Sequence, residues 1–274
     1  MLHISTLMNV NPNPNKKLIT QDGLSFLIEY DDSKILFDTG CNGDFMKNAN
    51  DMQIDLSNLT AVVLSHGHYD HTAGYKALLS SSLAPKYLFV GKNFFENKYT
   101  KKGIRYVNLS STLDENVIRN HGVNIRTVES GIHYSKNIYF ISGFQASNPY
   151  EKIPKDNIIL KENGFIQDNF TDEVCVVLET PKGLVIVTSS THIGLCNLLD
   201  KVYKVFNKPI HAVLGGFPVD PKDDMRTKFT VSTLKEYNVK HIGYCPMKPM
   251  SSDIFKFSSV DINTVSVGDE FFLM

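Results

Sequence analysis

Four side chains that can bind a metal ion fall within six positions of the sequence. The segment SHGHYDH at 65–71 contains His66, His68, Asp70 and His71. Neutral imidazole and carboxylate groups are ligands that suit zinc, iron or manganese, and several of them in one turn make a rigid, multidentate site. The segment therefore predicts a metal site, and a chance cluster of surface histidines is the alternative.

The elements around this segment predict how it is positioned. An apolar run at 61–64 is typical of a buried strand, and residues 72–79 are typical of a helix leading away. A second apolar run at 183–188 delivers His192 after its end, and a helix is expected at 196–206. This repetition favours two βα halves that face each other across a shared site. A satisfied buried histidine is the alternative role for His192.

The segment SHGHYDH resembles the H-x-H-x-D-H signature of the metallo-β-lactamase-fold superfamily. The resemblance implies an α/β (α+β) fold, a four-layer αββα sandwich of two mixed β-sheets flanked by helices, and we expect one domain over 1–274. It also implies that His66 and His68 bind a first metal ion, while Asp70 and His71 bind a second. Asp70 would in addition orient the nucleophile and so act in catalysis.

Three stretches narrow the resemblance to one branch of that superfamily. GLSFLIEY…KILFDTG, FTDEVCVVLETPKGLVIVTSSTHIGLCNLL and HAVLGGF look like the branch named for 7,8-dihydropterin-6-methyl-4-(β-D-ribofuranosyl)-aminobenzene-5′-phosphate synthase, in order over about residues 20–245. The resemblance implies that His192 is a fifth metal ligand and that Asp38 supports the ligands through hydrogen bonds. Asp172 and Glu173 match an acidic pair, and either could bind metal or support a histidine.

Three of the places where the chain departs from this branch bear on metal binding. It has Ser189-Ser190 where relatives have Gly-Cys, Pro218 where they have histidine, and Cys245-Pro246-Met247-Lys248 where they have His-Cys-Thr-Gly. Cys245 could act as a soft metal ligand or as a small buried hydrophobe. We therefore expect zinc, with iron or manganese as alternatives, and leave open whether one or two ions bind.

Composition restricts the class of partner. The formal net charge of −1 gives no electrostatic case for nucleic acid or an acidic membrane, so a small-molecule substrate is expected. Four widely spaced cysteines argue against a disulfide framework and favour a reducing compartment. No apolar run approaches the ~18 residues that span a bilayer, so we expect a soluble, cytoplasmic protein. The oligomeric state stays open.

These observations favour a metal-dependent hydrolase that uses metal-activated water on a small molecule, phosphorylated or not. In two-metal sites, two ions ~3.5–4 Å apart clamp the attacking and leaving oxygens. One alternative is a transferase of the dihydropterin-aminobenzene-phosphate synthase type. The other is a metal-bound ligand-binding module with an incomplete second site.

Three further expectations concern segments away from the motif. Residues 93–99 are expected to be helical, with Phe94, Phe95 and Tyr99 either in the core or lining a pocket. The polar stretch 145–163 is a candidate lid because long loops are uncommon in compact domains. Residues 264–272 are expected to form a terminal hairpin.

Overall fold

The computed structural model describes residues 1–218, 224–246 and 261–273. The strands are β1 (Leu2–Met8), β2 (Ser25–Tyr30), β3 (Ser33–Phe37), β4 (Ala61–Val63), β5 (Tyr87–Gly91), β6 (Asn97–Lys102), β7 (Arg105–Asn108), β8 (Asn124–Val128), β9 (Gly131–Ser135), β10 (Ile138–Ile141), β11 (Asn157–Lys161), β12 (Gly164–Gln167), β13 (Cys175–Thr180), β14 (Gly183–Val187), β15 (Ile210–Gly215), β16 (His241–Tyr244), β17 (Asp261–Thr264) and β18 (Glu270–Leu273). The helices are α1 (Asp44–Asp51), α2 (Tyr69–Thr72), α3 (Tyr75–Ser80), α4 (Glu115–Asn120), α5 (Leu195–Phe206) and α6 (Asp224–Glu236).

Two seven-stranded mixed sheets form the centre of the molecule. Their strand orders are β18-β1-β2-β3-β4-β5-β8 and β17-β16-β15-β14-β13-β10-β9. A core cluster drawn from both sheets, with Phe26 and Phe37 on one side and Val176 and Val187 on the other, fills the space between them. The predicted α/β architecture of two mixed sheets between helices is confirmed.

The helices cover the outer faces of these sheets. Phe45 of α1 and Leu78 of α3 pack on the outside of the first sheet, and Leu198 of α5 and Leu234 of α6 pack on the outside of the second. Helices and sheets therefore make four layers. None of the helices in the described part of the chain has the length and apolar content needed to cross a bilayer.

The central position of two strands explains how the chemistry-bearing loops are held. β4 pairs in parallel with β3 and β5, and β14 lies between β13 and β15. Both strands are apolar because both of their faces are buried, as is usual for strands in the middle of a covered sheet. The loops that leave their carboxyl ends are consequently anchored on the rigid part of the fold.

A third sheet, with the order β12-β11-β6-β7, was not predicted. The expected helix at 93–99 is wrong, because the segment enters β6, which pairs with β11 about sixty positions away in the sequence. Phe94 is buried, which agrees with the core alternative, and its ring meets Phe95 edge-on at 5.0 Å. Tyr99 packs on Phe165 of β12 at 5.5 Å.

The prediction of a lid over 145–163 is partly wrong, because the second half of this segment contains β11. Its first half is fastened to α5: the amides of Ser147 and Asn148 donate to Asn197, and Glu151 accepts from the first turn of that helix. None of the residues 145–163 is among the described residues that line the cavity next to His68 and His192.

The prediction of a terminal hairpin at 264–272 is also wrong. β17 pairs in parallel with β16 in the second sheet, whereas β18 pairs antiparallel with β1 in the first. The final strands therefore belong to different sheets, because each completes the edge of a sheet formed by earlier parts of the chain.

Candidate metal centre

Two loops from the two central sheets meet to form the site. One leaves β4 and carries His66 and His68 before the short helix α2, and the other leaves β14 and carries His192 before α5. The expectation of two strand ends that face each other across one site therefore agrees with the structure. Phe170, Thr191 and Asp38 lie around these loops with positive φ angles of 48°, 40° and 58°. Such backbone strain is typical of functional sites.

Three imidazoles converge at the centre. His66, His68 and His192 each offer a ligand atom, and these atoms all lie within 4.8 Å of one another. The ring centroids of His66 and His68 are 4.6 Å apart, and that of His192 lies 4.9 Å from each. His66 Nε2 is buried without a hydrogen-bond partner in the described structure. A buried nitrogen of this kind costs free energy unless a ligand binds to it.

The protonation state of these imidazoles suits a metal ion. Burial lowers the pKa of His66 and of His68 well below the ordinary value, and neighbouring imidazoles add to the effect. Burial likewise lowers the pKa of His192 to about 3. The three rings are therefore neutral near pH 7, which is the form that binds a divalent cation.

Asp70 and His71 form a pair that adjoins this group, and the ring centroid of His71 lies 4.6 Å from that of His66. His71 Nε2 lies 3.6 Å from Asp70 Oδ2 and 3.2 Å from Ser190 Oγ. Burial acts to lower the pKa of His71, but Asp70 and Asp38 raise it to about 8. The predicted ligands are thus divided into a group of three and a pair, and Ser190 stands next to the pair where relatives are expected to have cysteine.

Asp38 lies beneath the site, fully buried, and holds two of the histidines. Its Oδ1 accepts the backbone N–H of Ser65 at 2.7 Å, and its Oδ2 accepts the Ser65 hydroxyl at 2.7 Å. His71 Nδ1 lies 2.8 Å from the same Oδ2. The Ser65 hydroxyl in turn lies 2.9 Å from His66 Nδ1. One carboxylate therefore orients His71 directly and His66 through a serine, as expected of an outer carboxylate at a metal site.

The structure separates the roles of Asp172 and Glu173, which the sequence could not. Neither belongs to the three-histidine group. Asp172 Oδ2 accepts the backbone N–H of Gly67 at 2.7 Å, and Glu173 accepts the backbone N–H of His192 at 2.5 Å. Burial raises the pKa of Glu173 to about 8. Both acids thus fix the main chain next to a histidine.

Cys245 is buried in the core between the sheets, and its backbone N–H donates to Gly215. It does not belong to the three-histidine group, although it lines the cavity. This position agrees with a small buried hydrophobe. Pro218 and Pro246 are described, whereas Met247 and Lys248 lie outside the described residues.

Sequence reasoning missed three residues that surround the histidines: Lys98, Asp168 and Phe170. Lys98 is 2% exposed and lies between the carboxylates of Asp168 and Asp172. Although burial acts to lower the pKa of Lys98, these two carboxylates raise it above its ordinary value, so the ammonium stays charged. The polar run NKYTKK gave no signal that its second residue is buried.

A cavity of about 240 Å³ opens beside the histidines. The described residues that line it are Asn9, Val10, Asp22, Gly23, Leu24, His68, Tyr69, Asp70, His71, Ser189, Ser190, His192, Gly216, Cys245 and Pro246. Its wall includes His68 and His192 of the three-histidine group as well as the Asp70–His71 pair. A small molecule in this cavity would therefore lie against both groups.

Comparisons of the sequence with known proteins identify the family. Residues 20–164 match the family described as the Metallo-beta-lactamase superfamily. The chain is 29% identical over 258 residues to 7,8-dihydropterin-6-methyl-4-(beta-D-ribofuranosyl)-aminobenzene-5'-phosphate synthase of Methanocaldococcus jannaschii. This alignment covers 89% of this chain and 87% of the synthase.

Two solved structures share the fold of this chain. Tm1679, described as a metal-dependent hydrolase of the beta-lactamase superfamily, superimposes with a TM-score of 0.83 at 28% identity, covering 100% of this chain and 99% of that one. The Zn(2+)-bound PqqB of Methylobacterium extorquens has a TM-score of 0.60 at 12% identity, covering 99% and 100% of the two chains. The second likeness concerns the fold alone.

Proposed function

Because the chain belongs to the metallo-beta-lactamase superfamily, we propose that it is a metal-dependent hydrolase acting on a small-molecule ester or phosphoester. The observation that carries this proposal is the group of three neutral histidines, with ligand atoms within 4.8 Å of one another, at the wall of the cavity. The similarity to Tm1679, itself described as a metal-dependent hydrolase, supports the same reaction class.

The donor set fits a divalent ion. His66 Nε2 is buried without a partner in the described structure, and His68 and His192 place their nitrogens beside it. Three imidazoles with an open fourth position are a common catalytic arrangement for zinc. When bound, the ion supplies a Lewis acid and lowers the pKa of water toward ~7.

We assign to Asp70 the role of accepting a proton from the attacking water. Its side chain lies at the cavity wall and is partly exposed, and its Oδ2 faces His71 Nε2 at 3.6 Å. A carboxylate in hydrogen-bond reach of a water molecule can orient it and accept its proton. His71 is fixed by Asp38 on its other nitrogen, so the imidazole keeps its place beside the Asp70 carboxylate.

Other polar groups of the cavity would hold the substrate. Tyr69 and Ser190 present hydroxyl groups, while Val10 and Leu24 give part of the wall an apolar surface. A few polar groups on a partly apolar wall fix the orientation of a small ligand. The volume of about 240 Å³ suits a small molecule.

A second candidate is a group-transfer reaction of the synthase type. The 29% identity to the Methanocaldococcus jannaschii synthase, which spans 89% of this chain, favours it. The same histidines and Asp70 would serve, but the group would pass to an acceptor instead of water. The candidates differ in a simple requirement, because only the transferase needs an acceptor for turnover.

The test begins with elemental analysis of protein purified without added metal. We expect at least one equivalent of a transition metal per chain. Less than half an equivalent, not restored by zinc, manganese or iron, would overturn both candidates and favour a ligand-binding module.

A substrate screen then tests the chemistry. Phosphodiesters, phosphomonoesters, thioesters and lactones are offered to wild type, to Asp70→Ala and to a matched control, Asp32→Ala, which changes an exposed aspartate in the β2–β3 turn. We expect hydrolysis by wild type and the control, and a loss of at least ~100-fold in Asp70→Ala. Equal rates in the two variants would mean that another site is responsible. Turnover only with a pterin acceptor would favour the transferase.

A further inference from the structure

We propose that Lys98 is a positioning residue for the metal centre, and that it acts on all three histidines through two buried aspartates. The inference rests on the proposed function only in assuming that the histidines bind a metal ion. Lys98 lies on β6 of the third sheet and does not line the cavity described above.

The burial of Lys98 is the first observation. Its Nζ lies 2.6 Å from Asp168 Oδ2 and 3.0 Å from Asp172 Oδ1, and all three side chains are almost completely buried. Lysine is rarely buried in this way unless it is paired. Apolar residues of similar volume often stabilise a fold as well as a buried ion network does, because desolvation of the charges is costly. Stability alone is therefore a weak reason for this network.

The first arm of the network reaches the loop between two histidines. Asp172 holds Lys98 with one oxygen and accepts the Gly67 N–H at 2.7 Å with the other. Gly67 has no room for a side chain: a Cβ there would lie 2.3 Å from the Phe94 carbonyl oxygen and 3.2 Å from the Lys98 Cε. The peptide that separates His66 from His68 is therefore clamped between the network and Phe94.

The second arm reaches the third histidine. Asp168 holds Lys98 with one oxygen and accepts the Phe170 N–H at 2.7 Å with the other. The Phe170 ring stacks on His192 with centroids 4.3 Å apart and planes 14° apart, and it meets His68 edge-on at 5.7 Å. Lys98 Nζ also lies 5.1 Å from the centre of the Phe170 ring.

The two arms have the same design. Each aspartate accepts a hydrogen bond from the Lys98 ammonium with one oxygen and from a backbone N–H with the other. The backbone N–H belongs to Gly67 in the first arm and to Phe170 in the second. Lys98 therefore ties the spacing of His66 and His68 to the orientation of His192. Groups that orient ligands in this indirect way typically change metal affinity 10–100-fold when they are altered. This assigns a role to the third sheet, since Lys98 comes from β6 and Asp168 follows β12.

The experiment uses Asp168→Asn, which breaks the second arm and leaves Lys98 paired with Asp172. Its matched control is Asp156→Asn, an exposed aspartate immediately before β11 of the same sheet. Zinc affinity is measured by competition with a chromophoric chelator, and the site geometry is followed by the visible absorption of bound Co²⁺. We expect zinc to bind at least ~10-fold more weakly to Asp168→Asn, with an altered Co²⁺ spectrum, while Asp156→Asn behaves as wild type.

A merely structural network would give another result. Asp168→Asn would then lower the free energy of unfolding but, while folded, bind zinc within twofold of wild type with the same Co²⁺ spectrum, which would overturn the inference. If Asp168→Asn does not fold, Asp172→Asn, which leaves the Lys98–Asp168 pair, decides by the same readouts. Failure of wild type to bind zinc would instead overturn the proposed function.

Discussion

Asp38 Oδ2 lies 2.8 Å from Nδ1 of His71, and both side chains are buried. The same carboxylate accepts two hydrogen bonds from Ser65, whose hydroxyl faces His66. The end of β3 is thus fixed to the histidine motif by Asp38, whose φ is 58°. Asparagine tolerates this backbone conformation, so it allows the carboxylate to be tested without a change in the main chain.

We expect Asp38→Asn to lower the free energy of unfolding of the metal-free protein by about 1–3 kcal/mol, because the amide leaves at least one buried donor unsatisfied. Urea denaturation in the presence of a chelator measures the change. Asp55→Asn, at an exposed turn, is the control and should unfold at the wild-type urea concentration. An unchanged midpoint for Asp38→Asn would show that the carboxylate contributes little to the fold.

Metal binding should stabilise the folded protein by linkage. At a free zinc concentration one hundred times the Kd, the expected gain in the free energy of unfolding is about 2.7 kcal/mol. His192→Ala removes one of three ligands and should lose most of this gain, whereas His121→Ala, an exposed histidine after α4, should keep it. Urea denaturation with zinc and with a chelator measures the gain. An equal gain in both variants would place the zinc elsewhere.

Gly23 packs against the main chain of Asp70. A Cβ on Gly23, whose φ is 93°, would lie 1.8 Å from the Asp70 carbonyl oxygen, whereas Gly103, with a φ of 63°, has open space around it. Gly103→Ala therefore isolates the cost of the positive φ, about 1–2 kcal/mol. We expect Gly23→Ala to cost a further ~1–3 kcal/mol through the clash. Urea denaturation compares the two variants, and equal losses would contradict the close approach.

Glu151 should give the stability of the protein a dependence on pH. Its buried carboxylate accepts the N–H groups of Cys196 and Asn197 at the start of α5. Burial raises its pKa above the ordinary value of 4.5 despite these hydrogen bonds. The folded state therefore binds a proton more tightly than the unfolded chain. The resulting stabilisation is fully present below about pH 4.5 and is lost as the pH rises through the folded-state pKa.

Glu151→Gln lacks this titration, so wild type should lose stability relative to Glu151→Gln as the pH rises from about 4.5 to 7. Urea denaturation of both proteins at several pH values measures the difference, from which titrations common to both cancel. A difference that stays constant over this range would show that the pKa of Glu151 is not raised in the fold.

Much of the fold and part of the site could be predicted from local patterns. The apolar runs that became β4 and β14 are buried on both faces, so their apolar composition alone indicated strands. The segment 93–99 failed because its strand is stabilised by pairing with β11, a partner that no local pattern reveals. The terminal residues failed for a similar reason, since β17 and β18 are edge strands of different sheets.

The sequence by itself determined that His66, His68, Asp70 and His71 share one turn after a buried strand, because spacing within a few residues is fixed by covalent geometry. Only the tertiary structure decided that His192 completes a group with His66 and His68, while Asp70 pairs with His71. It also decided that Lys98 lies between two aspartates 70 and 74 positions away. Such contacts depend on how three sheets pack, and packing is a property of the whole chain.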